Sequence, residues 1–105
     1  MQALPETFAA LGDPTRFAIV EKLLRDGELS AGTLHKVAAL SAPAMSRHLK
    51  VLRNAGVIRQ RIDKQRRLYA VEPQAIHAIN DWAISYRAFW TKSLDRLDAS
   101  LRDDN

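Results

Sequence analysis

A chain of 105 residues with 47% apolar and 27% charged residues has the size and composition of one globular domain, and its formal net charge is +4. The absence of cysteine excludes disulfides, thiolate metal sites and thiol redox chemistry. No apolar run exceeds four residues, and the start MQALPETF lacks a basic segment leading into an apolar one. Neither a membrane span nor an export signal is expected, and the site of action is read as cytoplasmic.

Taken in order, Leu4, Phe8 and Leu11 mark a short amphipathic helix. Asp13-Pro14 is a cap followed by a first-turn proline and opens a second helix, which Gly27 closes and whose Phe17, Val20, Leu23 and Leu24 should face inward. Ser30 to Leu40 reads as a short helix capped by Ser30, with Leu34, Val37 and Ala38 turned inward, ending in a tight Ala39-Leu40-Ser41 turn. The next stretch, SAPAMSRHLKVLRNAG from Ser41 to Gly56, is the most informative. Ser41 is a good N-cap, Pro43 falls in the first turn where a missing N–H costs nothing, and Gly56 supplies a left-handed stop. Met45, Leu49 and Leu52 recur at i, i+4 and i+7 as one buried stripe, leaving a small, polar and basic face of Ala42, Ser46, Arg47, Lys50 and Arg53. Two short helices joined in this way make a helix-turn-helix, over about residues 31–55.

Beyond Gly56 the period changes. Residues 57–71, VIRQRIDKQRRLYAV, are rich in β-branched and aromatic side chains and read as a β-hairpin, with Asp63-Lys64-Gln65 at the turn. No glycine lies in that turn, so a tight two-residue connection with positive φ is disfavoured and a longer, mobile loop ordered by phosphate contact is expected. Leu68 and Tyr69 both look apolar, which leaves the buried face of the second strand open. A helix-turn-helix followed directly by a basic hairpin is a winged helix, mainly α with a small β-hairpin. The charge follows the same boundaries: residues 44–71 hold eight basic residues against the single acid Asp63, net +7, so the rest of the chain carries −3 of the total +4. Such a concentration on a recognition helix and wing is what phosphate neutralisation requires.

Residues 73–102 form one long helical pattern in which Ile79, Ala83, Tyr86, Trp90, Leu94, Leu97 and Leu101 follow alternating three- and four-residue steps. Trp82 and Phe89 widen this stripe, and four of the seven aromatics lie between positions 82 and 90. So broad an apolar face suits packing on another chain, the alternative being that the helix folds back onto its own core. With Leu4, Phe8 and Leu11, the residues Trp82, Tyr86, Phe89, Trp90, Leu94 and Leu97 are the candidate interface of a two-fold homodimer that would present two recognition helices to one operator.

The chain resembles the ArsR (arsenic-repressor) family of small bacterial winged-helix repressors. The resemblance runs from about Phe8 to Leu101, and its marks are FAALGDPTR at 8–16, SRHLKVLRNAG at 46–56, RRLY at 66–69 and the Trp82, Tyr86, Phe89, Trp90 cluster. By resemblance, DNA contacts fall on Ser41, Ala42, Pro43, Ser46, Arg47, His48 and Lys50 of the recognition helix and on Lys64, Gln65, Arg66 and Arg67 of the wing. Many relatives carry Gln where this chain has Ala42, so base reading is expected to rest more on Ser46 and Arg47. The family's metal-sensing cysteines are replaced by Ser30 and Gly32, neither of which holds a soft metal. A zinc-type site on the last helix would have only His77 and Asp81, a pair at i, i+4 that reads as a helix-surface contact.

His48 lies near the buried stripe of the recognition helix, where a packing role and a phosphate contact are equally open, and His35 reads as solvated surface. No phosphate-cradling glycine loop, metal-ligand cluster or Ser/His/acid spacing is present, and Ser46 and His48, two apart on a helix, diverge. The expectation is a non-enzymatic, sequence-specific DNA-binding regulator, most simply a repressor, with duplex DNA and a second copy as partners, no cofactor or metal, and an organic ligand or protein as effector if there is one. The alternative is an interaction module whose basic face binds an acidic protein or RNA.

Overall fold

The computed structural model describes residues 4–37 and 39–103. Among the described residues six helices and three strands follow one another as α1 (Leu4–Leu11), α2 (Pro14–Asp26), β1 (Leu29–Ser30), α3 (Ala31–His35), α4 (Ala42–Asn54), β2 (Ile58–Asp63), β3 (Arg66–Val71), α5 (Pro73–Ser85) and α6 (Arg87–Asp103). The sheet is antiparallel with order β1-β3-β2. This is the expected winged helix with one addition: Leu29 and Ser30 pair with Tyr69 and Leu68, making a third, two-residue strand. A strand that short has no periodicity to display in the sequence.

The helix boundaries have the capping chemistry that the sequence suggests. Asp13, Ser30 and Ser41 each sit in extended backbone and accept a hydrogen bond from the amide three residues on. Gly27 and Gly56 take positive φ, at 79° and 75°, after α2 and α4. The core gathers Ile19, Val20 and Leu23 of α2, Leu34 of α3, Met45, Leu49 and Leu52 of α4, and Val57, Ile58 and Tyr69 of the sheet, all at most 4% exposed.

Several expectations are corrected. On α2 it is Ile19, not Phe17 or Leu24, that joins Val20 and Leu23 inside, and Phe17 and Leu24 remain 50% and 54% exposed. They instead wall a groove whose other side is α5. The short helix ends at His35, with Val37 half-buried; Ala38 lies outside the described residues. His35 is half-buried as well, not free on the surface. Both Leu68 and Tyr69 are buried, at 7% and 4%, so neither face of β3 is the wet one at that point. Only Tyr69 belongs to the main core, since neighbouring strand residues point to opposite faces.

The last helix is interrupted. Tyr86 leaves helical geometry (φ −106°, ψ 26°) and divides the expected span into α5 and α6. The local cause is Ser85, whose hydroxyl donates to the Trp82 carbonyl at 2.7 Å and so competes for an acceptor of the helical ladder.

Candidate nucleic-acid interface

The candidate recognition element is α4. Its inner face is the stripe Met45, Leu49 and Leu52, at 1%, 3% and 0% exposure, which holds it against the core. That leaves Ser41, Ala42, Pro43, Ser46, Arg47, Lys50 and Arg53 exposed, so the residues that the sequence assigned to the outer face do form one surface. Ser41 accepts the Ala44 amide at 3.3 Å, which fixes where the first turn starts.

His48 differs from its neighbours. Its side chain is 22% exposed, with Nδ1 3.5 Å from an Arg16 guanidinium nitrogen and 3.9 Å from Asp13 Oδ2. Arg16 is the hub of this junction. Its Nε donates to the Ala10 carbonyl at 2.7 Å and an Nη to the Ala9 carbonyl at 3.5 Å, closing the open C-terminal end of α1. Its own amide donates to Asp13 at 3.0 Å, the bond that caps α2. That bond comes first among the causes holding the Asp13 carboxyl below its usual pKa, the Arg16 charge and His48 adding to it. The DPTR segment therefore caps one helix, closes another and touches a third, which sets α4 relative to α1 and α2. Sequence reading found the Asp13 cap but missed Arg16, although an arginine three residues after an N-cap and close behind the preceding helix end was the available signal.

The wing is the β2–β3 hairpin, paired in unbroken register from Ile58 and Val71 to Asp63 and Arg66. The expected longer loop is not there: Lys64 and Gln65 alone connect the strands, and Lys64 takes φ 60°. Continuous pairing up to Asp63 and Arg66 leaves only two residues to reverse the chain, so strand register overrides the preference against positive φ. Lys64, Gln65, Arg66 and Arg67 are all exposed at or next to this tip. Arg61 is not equivalent to them. Its Nε and an Nη donate to the two Glu28 carboxylate oxygens at 2.8 and 2.7 Å, a two-bonded pair within the chain, whereas the exposed Arg66 only approaches Asp63, at 3.7 Å. The same fork lowers the Glu28 pKa and raises that of Arg61.

Away from the basic surface, His77 Nε2 lies 3.2 Å from Asp81 Oδ2, both largely exposed, as a one-turn surface pair. Among the described residues no group of three or more His, Asp or Glu side chains has the geometry to hold a metal ion. No described helix is long and apolar enough to cross a membrane. The interface candidates divide by burial: Leu4 and Leu11 are half-buried, whereas Phe8, Trp82, Tyr86, Phe89, Trp90, Leu94 and Leu97 are 40–64% exposed. Phe8 and Trp82 meet edge to face with centroids 5.5 Å apart, and Trp82 and Tyr86 at 5.8 Å, so α1 and α5 share one aromatic surface.

Residues 11–61 match the family description "Helix-turn-helix domain". The chain is 40% identical over 85 residues to the HTH-type transcriptional regulator Rv2034 of Mycobacterium tuberculosis, covering 81% of this chain and 76% of that protein. It is 30% identical over 79 residues to the transcriptional repressor SdpR of Bacillus subtilis, covering 75% and 87%. Among solved structures, an ArsR family transcriptional regulator superimposes with a TM-score of 0.74 at 28% identity, covering 87% of this chain and 97% of the other.

Proposed function

The chain belongs to the ArsR family of helix-turn-helix transcriptional regulators, which act by binding DNA and not as enzymes, and from that premise we propose that it is a homodimeric repressor of an inverted-repeat operator. The observation that carries this reading is the outer face of α4, where the polar Ser46 and the basic Arg47 and Lys50 lie exposed above a wholly buried inner stripe. Arg47 and Ser46 read base edges in the major groove, Lys50 and the helix start from Ser41 to Pro43 meet the backbone, and Lys64 to Arg67 on the wing neutralise flanking phosphates. His48 is assigned to bracing α4 on Asp13 and Arg16, since its ring nitrogen faces those groups.

Dimerisation uses α1, α5 and α6, whose exposed aromatics exceed what a monomeric surface ordinarily leaves bare. Two half-sites about one helical turn apart then bind together, and repression follows from occupying a promoter in the cytoplasm. Its regulation does not run through a soft metal, because Ser30 and Gly32 stand where the metal-sensing relatives have thiolates. Release depends instead on an organic ligand or a protein partner, or binding is constitutive. Selection of bound duplexes from a random DNA pool tests the reading: an enriched palindrome is expected, and no enrichment of duplex, with binding instead to RNA or to an acidic protein, would overturn it.

A further inference from the structure

Ile62 is the most exposed of the large apolar side chains among the described residues, at 67%, and it lies on the wing and not on the aromatic surface of α1 and α5. The pairs Ile58–Val71, Gln60–Tyr69 and Ile62–Arg67 stand directly opposite one another at alternate positions of the hairpin, so these six residues share one face. Ile58 and Tyr69 are buried in the core with Met45, Leu49 and Leu52 of α4. The face that carries Ile62 and Arg67 is therefore the one turned toward α4, continued about 13 Å past Ile58 and beyond the edge of the core. The opposite face carries Arg61 and Arg66, and each has an acid beside it. Glu28 grips Arg61 by two bonds, and Asp63 lies 3.7 Å from Arg66. Arg67 forms no ion pair with a carboxylate among the described residues. The two faces of the wing thus differ: one is partly neutralised, the other pairs a free guanidinium with a bare hydrocarbon.

A phosphate offers nothing to an isoleucine side chain, which gains free energy only against other apolar surface. With α4 in the major groove, the apolar surface left to the wing is the sugar wall of the adjoining minor groove. That groove is about 6 Å wide, and Ile is among the side chains that proteins place in it. Arginine is drawn into it where A·T tracts narrow it and deepen its negative potential. Base pairs differ on its floor in one respect that matters to a hydrocarbon. Guanine projects an N2 amino group, whose bond to water an isoleucine would remove without replacing it. A·T pairs present only acceptors, which a guanidinium can satisfy. Isoleucine is also stiff at χ1, so little freedom is lost on seating it.

We propose that Ile62 and Arg67 form a specificity-determining pair: Ile62 packs on the sugar walls of the minor groove beside the α4 site, Arg67 reaches its floor, and together they select A·T over G·C there. The inference rests on the operator reading and goes beyond phosphate neutralisation by naming the face of the wing and the base pairs it prefers; Lys64 at the tip stays on the backbone. The probe is the duplex enriched from the random pool, rebuilt with A·T, G·C or inosine·C pairs just outside the half-site. Inosine lacks the N2 amino group but keeps the major-groove edge of guanine, so it separates the two grooves. Affinity for A·T and inosine·C flanks should be equal and several-fold above that for G·C. Ile62→Thr leaves the core intact and keeps the β-branched strand residue, but its hydroxyl can accept from N2, so the preference should vanish. Arg67→Lys should weaken the preference, and Arg66→Lys, on the other face, should leave it. Inosine·C flanks that bind like G·C would place the discrimination in the major groove and sink the proposal. So would a preference untouched by Ile62→Thr, or one changed equally by Arg66→Lys and Arg67→Lys. Equal affinity for all three flanks would leave duplex binding standing and reduce the wing to a phosphate contact, whereas binding of no duplex at all would remove the operator reading itself.

Discussion

Glu28 and Arg61 are joined by a two-bonded fork, 2.8 and 2.7 Å, across 33 residues of chain. The pair ties the residue before β1 to the middle of β2 and so braces the wing at its base. It also withdraws one guanidinium from the surface proposed to face DNA. Arg61→Ala should therefore change the salt dependence of DNA binding less than Lys64→Ala does. Glu28→Ala should steepen it, because Arg61 is then free to neutralise a phosphate. An equal loss of slope in Arg61→Ala and Lys64→Ala, with Glu28→Ala at the wild-type slope, would show that the fork opens on DNA.

Base reading is expected of Arg47 and not of the wing tip. Arg47→Ala should lose about 1–3 kcal/mol per half-site and relax preference at particular base pairs, whereas Lys64→Ala should weaken all sequences alike and reduce the salt slope by about one per half-site. Competition titrations on operator and random duplex separate the two, and an equal loss on both for Arg47→Ala would count against a base contact.

Lys64 holds positive φ without being glycine. Conformations of this kind cost on the order of 1–3 kcal/mol when a side chain is present, and glycine relieves part of that. Lys64→Gly should raise the unfolding midpoint while weakening DNA binding through the lost charge. Thermal unfolding read beside a binding titration would reveal the opposite signs, and a lowered midpoint would mean that the turn is not strained.

The Asp13 carboxyl sits below its usual pKa chiefly because the Arg16 amide donates to it. A carboxyl whose folded pKa is depressed adds stability that is present in full above its unfolded value, about 3.9, and is lost as the pH falls through the lower folded value. The Glu28 carboxyl, lowered first by its bonds from Arg61, behaves in the same sense. Denaturant midpoints should thus fall below about pH 4, and Asp13→Asn should flatten that fall. An unchanged acid slope in the variant would remove the α2 cap from the account.

Trp90 is 50% exposed beside Phe89, their ring centroids 5.2 Å apart. Aromatic anchors at interface centres typically contribute about 2 kcal/mol or more, so Trp90→Ala should shift the protein toward monomer at micromolar concentration. Operator affinity should fall in step, because a monomer reaches one half-site and loses the gain of linkage. Full operator affinity in a monomeric variant would separate dimerisation from DNA binding.

The sequence alone determined whatever depends on near neighbours. The caps at Asp13, Ser30 and Ser41, the glycine stop at Gly56 and the Met45, Leu49, Leu52 stripe are local in origin, and with them came the helix-turn-helix, its outward basic face and the family. What only the tertiary structure decided depends on partners distant in the chain. The two-residue turn at Lys64 follows from strand register, which overrode local preference. The fork between Glu28 and Arg61 and the junction of Arg16 with Ala10 and His48 unite residues whose spacing carries no period. Phe17 and Leu24 have the pattern of core residues, yet helix packing turned them into a groove, since amphipathic periodicity shows that a face is apolar without showing what covers it.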